Sequence, residues 1–261
     1  VFTPAVQYII TFFSFVAGVN FTLLYISVSK RKLSTLLKSA ECRLYLSMVL
    51  GCAAFIAFEL MWKNDYALEP AVRSSLFHVV SFITSTGLLA DDPAKWAHVT
   101  WVVLAVCMFL GPCSGSTGGG FKCIRGVMLL KVIKNELRQM LHPNAVTTVR
   151  FEGKPLTDRS IRSVHLFLTV YILIFTVSVL LLSLERFDLV TTFTAVASCM
   201  NNIGPGLEVV GPMGNFSAFS PAAKLLLAFD MLVGRLEIFP MLLLFAPSIW
   251  KRRIITRKPT L

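Results

Sequence analysis

A glycine-rich stretch, Leu110 to Lys122 ("LGPCSGSTGGGFK"), has the residue types of a phosphate-binding loop. It follows an apolar run and ends in a lysine, as do loops that hold nucleotide phosphates with backbone N–H groups. A Walker A loop, however, needs Gly-Lys-[Ser/Thr] after four free positions, and the sequence has Gly-Phe-Lys-Cys at 120–123. The displaced lysine and the missing hydroxyl argue against nucleotide binding, and the neighbouring segments are apolar enough for a lipid bilayer.

Two further stretches place uncharged polar residues directly before a glycine. The first is "SFITSTGLL", which contains Gly87, and the second is "SCMNNIGPGL", which contains Gly204. Glycine permits backbone conformations that turn carbonyl oxygens towards an axis, and a ring of such oxygens can replace a cation's hydration shell. The absence of Asp and Glu from these stretches disfavours a divalent-cation site. The alternative is a pair of polar outer loops with turn glycines.

The composition indicates a membrane protein. Of 261 residues, 55% are hydrophobic and 15% are charged, whereas soluble domains carry about 25% charged residues. The net charge of +11 is concentrated in alternate connections, with five Lys or Arg in 29–43, nine in 122–163 and five in 251–261. This alternation follows the positive-inside rule and argues against a nucleic-acid-binding face. The six cysteines form no CxxC pair, so we interpret them as small apolar residues.

Four segments are long enough to cross a hydrocarbon core, which takes about 20 residues. A fifth segment, 96–140, crosses the membrane if its first half is an apolar helix and its second half is an amphipathic helix that leaves the membrane. With the basic loops inside, successive segments alternate in direction, and 141–160 becomes a cytoplasmic connection that ends at the N-cap-like Thr157 and Asp158. The four predicted spanning segments are 5–28, 41–62, 163–184 and 221–250.

Each outer connection contains a helix that is too short to cross a membrane and too apolar for a free loop. The first begins near Pro70 and runs to Ile83, and the second is capped by Asp188 and runs to about Met200. Such lengths predict re-entrant segments, whose irregular backbone must be covered by protein or face water. A short helix that stops inside the membrane directs its carbonyl end, with about half a negative charge, towards the centre.

A shift of 117 positions along the chain aligns the two regions, with Gly87 on Gly204. The flanking spanning segments come into step under the same shift. We therefore predict two copies of a unit made of a spanning helix, a short helix, a glycine-bearing loop and a second spanning helix. Segment 5–28 would be the last helix of an earlier copy. The same shift sets Arg235 opposite Gly118, inside the glycine run.

Four motifs together resemble one family. "SFITSTGLL", "GPCSGSTGGGFK", "SCMNNIGPGL" and "MLVGRLEIFPMLLL" are similar to the C-terminal half of Trk-type potassium uptake proteins, in the Trk/Ktr/HKT superfamily. The resemblance implies an all-α membrane protein built of M1–P–M2 repeats (spanning helix, re-entrant pore helix with filter loop, spanning helix) around one pore. The K+ filter residues that it implies are Thr84, Ser85, Thr86, Gly87, Asn201, Asn202, Ile203 and Gly204. The gating residues that it implies are Gly115, Ser116, Thr117, Gly118, Gly119, Gly120 and Arg235.

Arg235 lies inside an apolar run, where an isolated arginine costs about 2.5–3.5 kcal/mol on insertion scales and needs water or a partner. Pairing with Asp230 or Glu237 is one alternative. Their spacings of five and two residues are not the favoured three or four. We predict instead that Arg235 meets backbone carbonyls of 114–119, where it stabilises a closed loop or repels a second cation.

The predicted organisation has four parts. Residues 1–40 contain the last helix of a preceding repeat and a cytoplasmic linker, so we interpret the chain as a piece of a longer protein. Residues 41–140 form the third repeat, with an intramembrane gating loop at 111–120. Residues 141–160 form a cytoplasmic linker, and residues 161–261 form the fourth repeat and a cytoplasmic tail.

These observations predict the pore-forming subunit of a K+ uptake system, which is not an enzyme and lies in a bacterial inner membrane with its C-terminus in the cytoplasm. K+ is the transported ion, no cofactor is expected, and nucleic acid is not expected as a partner. The resemblance implies a homodimer and a cytoplasmic nucleotide-binding regulatory subunit that docks on inner loops such as 131–154. Two alternatives stay open: a Na+-permeable or Na+/K+-cotransporting relative, and a membrane-bound protein that binds nucleotide at the glycine loop.

Overall fold

The structure is a computed structural model, which describes residues 2–31, 34–91, 93, 96–142, 150–151, 154–211, 214–236, 238 and 240–241. It is predominantly helical, which confirms the predicted all-α class. The helices are α1 (Pro4–Ala17), α2 (Phe21–Ser29), α3 (Ser34–Lys38), α4 (Ala40–Lys63), α5 (Leu68–Ile83), α6 (His98–Phe109), α7 (Cys123–Leu141), α8 (Asp158–Leu182), α9 (Leu189–Asn201) and α10 (Pro221–Arg235).

Two helices of the described residues are by themselves long and apolar enough to cross a membrane. They are α4 and the unit made of α8 with the 3₁₀ turn that follows it, Asp158–Glu185. These correspond to the predicted segments 41–62 and 163–184. Apolar side chains such as Leu50, Phe58 and Leu173 are exposed on their outer faces, as expected for surfaces that meet lipid rather than water.

The predicted spanning segment 5–28 is divided into two helices. The chain forms α1 and α2, which are apolar enough to cross a membrane only when taken together and which meet at an angle of 98°. Asn20 begins α2, since its side-chain oxygen accepts hydrogen bonds from the backbone N–H groups of Thr22 (2.9 Å) and Leu23 (3.2 Å). Gly18 ends α1. A cap of this kind satisfies the free N–H groups of a new helix, so the apolar run is divided where hydropathy alone predicts continuity.

The segment 96–140 consists of α6, a non-helical loop and α7. Helix α6 has 12 residues, fewer than the roughly 20 that a full crossing takes. The loop, residues 110–122, therefore lies between a short apolar helix and an amphipathic one. The segment 221–250 begins with α10, which ends at Arg235; most of its remainder lies outside the described residues.

The two short helices of the outer connections are present where the sequence predicts them. Helix α5 has 16 residues and α9 has 13. Asp188 caps α9 as predicted, with its side chain accepting a hydrogen bond from the Thr191 N–H (2.9 Å). Almost every residue in the second half of each helix is buried. Helix α5 packs between α1 and α4, and α9 packs between α8 and α10.

The connection 141–160 contains a short hairpin that the sequence did not predict. Strands β1 (Arg150–Phe151) and β2 (Lys154–Pro155) pair antiparallel. The Lys131 ammonium of α7 donates a hydrogen bond to the Arg150 carbonyl (2.8 Å), which ties the hairpin to α7. Thr157 caps α8 as predicted, accepting from the Ser160 N–H (3.3 Å).

Candidate functional site

The first candidate segment begins where α5 ends, at Thr84. The Ser85 N–H donates to the Phe82 carbonyl (3.3 Å) and the Thr86 N–H donates to the Ser81 carbonyl (2.9 Å), so the chain turns tightly away from the helix. Ser85 has φ of 56° and Gly87 has φ of 71°. Both values lie in the left-handed region, which glycine enters without steric cost.

The second candidate segment follows α9 in the same way. The Asn202 N–H donates to the Cys199 carbonyl (3.1 Å) and the Ile203 N–H donates to the Ser198 carbonyl (2.9 Å). Asn202 has φ of 56° and Gly204 has φ of 108°. In both segments, therefore, a left-handed residue follows the helix and a left-handed glycine comes two positions later.

The two turns share two backbone hydrogen bonds under the 117-residue shift. The bonds from Ser85 to Phe82 and from Thr86 to Ser81 correspond to those from Asn202 to Cys199 and from Ile203 to Ser198. Ser81 and Ser198 correspond as well, and each uses its hydroxyl to hold the extended chain beyond the turn. Ser81 Oγ donates to the Leu88 carbonyl (2.6 Å), and Ser198 Oγ accepts from the Gly204 N–H (3.0 Å).

The two segments touch each other. Ser85 Oγ donates to the Asn201 carbonyl (3.0 Å), and a Cβ added to Gly87 would collide with the Ile203 carbonyl. Helix α8 fixes the Asn201 side chain, because its oxygen accepts a hydrogen bond from the Tyr171 hydroxyl (2.9 Å) on that helix. The arrangement gathers uncharged carbonyl and hydroxyl oxygens in one place, which suits a monovalent cation better than a phosphate.

The glycine-rich loop packs directly against both segments. A Cβ at Gly118 would lie 3.2 Å from the Thr84 carbonyl, and one at Gly120 would lie 2.5 Å from the Asn201 side-chain oxygen. One at Gly119 would lie 3.3 Å from the Asn201 carbonyl. A side chain at Gly118 would collide first with the Pro112 ring of the loop itself. Glycine is most needed at Gly120, where a Cβ would collide with the Asn201 side chain and φ is 75°.

The loop is also bonded to the break between α1 and α2. The Cys113 N–H donates to the Gly18 carbonyl (3.0 Å), and the Phe21 N–H donates to the Gly115 carbonyl (3.4 Å). Across the loop's own base, the Gly111 N–H donates to the Phe121 carbonyl (2.9 Å). The bend that hydropathy missed therefore supplies backbone partners for an irregular segment, as membrane-depth backbone requires.

A buried carboxylate on α4 holds the same loop. Glu41 is 3% exposed, and its Oε1 accepts a hydrogen bond from the Ser114 N–H (2.5 Å). Glu41, Gly18 and Asn20 were not among the residues predicted from the sequence. Asn20 had an available signal, because an asparagine directly before an apolar run is an N-cap pattern.

Arg235 meets the loop from the other side. Its guanidinium Nη1 donates to the Thr117 carbonyl (2.6 Å), so the contact with carbonyls of 114–119 that the sequence suggested is present. Asp230 is engaged elsewhere, accepting a hydrogen bond from Ser178 Oγ (2.8 Å). Glu237, the other carboxylate considered, lies outside the described residues.

The structure thus brings together the residues of the three glycine-bearing stretches. The two turns after α5 and α9 touch each other, and the loop 110–122 packs against both, with Arg235 at its edge. His78, by contrast, is a packed residue: it is fully buried, its Nδ1 lies 2.7 Å from the Ser74 carbonyl, and its ring packs edge-on against Trp96.

A helical membrane protein with oxygen-lined irregular segments at the ends of short buried helices belongs to the transport class rather than to nucleotide-binding enzymes. Comparison with known proteins agrees with that class. Residues 2–252 match the TrkH family, described as cation transport proteins. The chain belongs to this family.

Several relatives are similar over most of the chain. The Trk system potassium uptake protein TrkH of Salmonella typhimurium is 35% identical over 250 residues, which are 95% of this chain and 51% of the relative. TrkG of Escherichia coli K12 is 36% identical over 239 residues, covering 92% and 49%. The crystal structure of the potassium transporter TrkH from Vibrio parahaemolyticus superimposes with a TM-score of 0.87 at 32% identity, covering 95% of this chain and 53% of that one. The chain thus spans about half the length of these relatives.

Proposed function

We propose that this chain supplies the third and fourth M1–P–M2 repeats of the pore-forming subunit of a K+ uptake system. The observation that carries the proposal is the pair of turns after α5 and α9, which share two backbone hydrogen bonds under a 117-residue shift and touch each other. In this assignment α4 and α8 are the first spanning helices, and α5 and α9 are the pore helices. The K+ uptake names of the relatives support the choice of ion.

The filter consists of backbone and hydroxyl oxygens at Thr84–Gly87 and Asn201–Gly204. Uncharged oxygens compensate the dehydration of K+ without binding it so tightly that it cannot leave. The carbonyl ends of α5 and α9 add a diffuse negative potential from the aligned helix dipoles. Left-handed backbone at Gly87 and Gly204 lets successive carbonyls turn to one side.

The loop 110–122 is the gate of this pore. It packs against both filter segments through Gly118–Gly120, where it obstructs the ion path. Its hydrogen bonds to Gly18, Glu41 and Arg235 hold it in that position. When the loop opens, water or other protein groups must replace these hydrogen-bond partners. The glycines give the loop the conformational freedom to move.

The orientation and partners follow from charge and from the resemblance. We place the basic connections and the C-terminus in the cytoplasm of a bacterial cell, with the chain in the inner membrane, because Lys and Arg cluster in alternate connections. The family resemblance supports a homodimer and a cytoplasmic nucleotide-binding regulatory subunit. Its docking surface includes the basic α7 and the hairpin that Lys131 ties to it.

The test is growth rescue of a K+-uptake-deficient cell by the full-length protein that contains this chain, in limiting K+ and in limiting K+ with added Na+. Gly87→Ser is expected to lower K+ flux about tenfold and to raise the Na+/K+ ratio, because a non-glycine residue in left-handed backbone costs roughly 1–2 kcal/mol. Gly51→Ser is the matched control, since a side chain at Gly51 meets nothing within 4 Å.

Equal K+ rescue by wild type and Gly87→Ser would contradict the filter assignment. Equal flux of Na+ and K+ through the wild-type protein would replace the K+-uptake proposal with the Na+-permeable alternative. Specific nucleotide binding by the isolated membrane protein would favour the enzyme-like alternative at the glycine loop instead.

A further inference from the structure

Asp230 is a buried carboxyl group that the filter and the gate do not use. It lies in α10 and is 0% exposed. Ser178 Oγ of α8 donates a hydrogen bond to its Oδ1 (2.8 Å). Its Oδ2 is buried and has no hydrogen-bond partner among the described residues. A buried carboxyl group with only one of its oxygens hydrogen-bonded, in the interior of a membrane protein, is expected to bind a ligand or a proton.

The surroundings of Asp230 are apolar and carry no opposite charge among the described residues. Leu227 and Val233, one turn away on either side, are buried. The two ion pairs of the described residues, Lys63–Glu59 and Arg73–Glu69, lie elsewhere. The two cations of α10 are engaged away from it, because Lys224 donates to the Ser217 carbonyl and Arg235 donates to the Thr117 carbonyl.

The titratable group that faces Asp230 from α9 is the Cys199 thiol, which lies within electrostatic range of the carboxyl group. From α8, the facing group is the neutral hydroxyl of Ser178. Among the described residues, Asp230 is thus covered by α8, α9 and its own helix α10.

An ionised carboxylate in this position would be unpaired and desolvated, which is among the most costly arrangements in a protein interior. A neutral carboxylic acid removes the charge, accepts the Ser178 hydrogen bond on its carbonyl oxygen and carries the proton on Oδ2. We propose that Asp230 is a proton-binding site, held as the neutral acid at mildly acidic pH inside the α8–α9–α10 packing. The Asp230 carboxylate binds one proton, and this step needs no other reactant.

Protonation of Asp230 can affect the turn after α9, because the helix that carries Asp230 packs against the end of α9. Gly234, one turn further along α10, packs so closely on the end of α9 that a Cβ there would collide with the Met200 carbonyl. Loss of the proton as pH rises would create a charge between α8, α9 and α10. Water or a cation would then have to enter, which loosens the contact between α10 and the turn after α9.

Infrared difference spectroscopy of the full-length protein tests this directly. At pH 5 the wild type is expected to show the carbonyl stretch of a protonated carboxylic acid that is absent from Asp230→Asn. Ser178→Ala is expected to retain this band at a shifted frequency, because it loses the hydrogen bond to Oδ1. A wild-type spectrum without this band at pH 5 would overturn the proposal, and so would a band that Asp230→Asn retains.

Thermal unfolding gives a second readout that does not depend on K+ flux. A folded state that holds more protons than the unfolded state loses stability as pH rises, by up to about tenfold in the unfolding equilibrium per pH unit. As pH rises from about 4 to 7, the Tm of wild type should therefore fall relative to that of Asp230→Asn, whose amide needs no proton. Parallel Tm profiles would contradict the proton site and leave the K+ pore proposal untouched.

Discussion

At the scale of single residues, the three consecutive glycines of the loop act as contact surfaces. Gly118 packs near the Thr84 carbonyl, while Gly119 and Gly120 pack on Asn201. A side chain at Gly120 would collide with Asn201 and hold the loop away from the turn after α9. The family resemblance implied that these glycines take part in gating, but the sequence could not predict the groups that they meet.

Charged residues show the limit of sequence reasoning at this scale. The contact of Arg235 with the loop could be predicted because the 117-residue shift sets it opposite Gly118. The partner of Asp230 could not, since Ser178 lies 52 residues away on another helix and no local pattern joins them. Glu41 was missed for the same reason: its partner is a backbone N–H of a distant loop.

Replacement of Arg235 is predicted to loosen the closed loop. Arg235→Ala removes a charge-assisted hydrogen bond to Thr117 (2.6 Å), which contributes about 1.5–3 kcal/mol. K+ flux through the full-length protein should rise about tenfold or more, as measured by 86Rb+ uptake in vesicles. Lys224→Ala is the control, because Lys224 bonds the Ser217 carbonyl away from the loop. Unchanged flux and voltage dependence in Arg235→Ala would contradict the gating role.

At the scale of elements, N-cap residues predicted where helices begin better than hydropathy did. Asp188 and Thr157 begin α9 and α8 through side-chain caps, as their sequence positions indicated. The 98° bend between α1 and α2 escaped prediction because hydropathy measures whether a segment is apolar and carries no information about its direction. The hairpin of β1 and β2 escaped because each strand has two residues, too few for an alternating pattern.

The cap at the α1–α2 bend is predicted to restrain the gate. Asn20→Ala removes the cap of α2, at a cost of about 1 kcal/mol, and disturbs the bend to which Cys113 and Gly115 are bonded. Basal K+ flux should increase several-fold in the same vesicle assay. Thr157→Ala is a matched control, since it removes the cap of α8 without touching the loop. Equal flux in both variants would show that the bend does not restrain the loop.

At the scale of the whole molecule, basic residues are unevenly distributed along the chain. They cluster in 29–43 and 122–163, whereas the connections that lead into α5 and α9 carry few. Helix α7 lies within the second cluster and begins one residue after Lys122, where the glycine-rich loop ends. A partner that binds α7 would therefore act next to the proposed gate.

Charge reversal on α7 is predicted to weaken binding of the proposed cytoplasmic regulatory subunit. Lys134 and Arg138 are exposed, and their joint replacement by Glu should reduce the affinity about tenfold and lower its salt dependence, since exposed charges mainly steer association. Binding can be measured with the full-length protein in nanodiscs. Lys224→Glu, which changes a residue of α10 bonded to the Ser217 carbonyl, should bind normally. Undiminished affinity in the α7 variant would exclude this docking surface.

The bonds of the loop have a consequence for how conduction varies with time. The loop 110–122 is hydrogen-bonded to the α1–α2 bend, to Glu41 and to Arg235. It also packs against the turns after α5 and α9. Partial release would leave buried N–H and C=O groups unpaired, so intermediate positions are the least favourable ones. The current through a single molecule should therefore step between two levels, and regulation should change the time spent at each level rather than the size of the step.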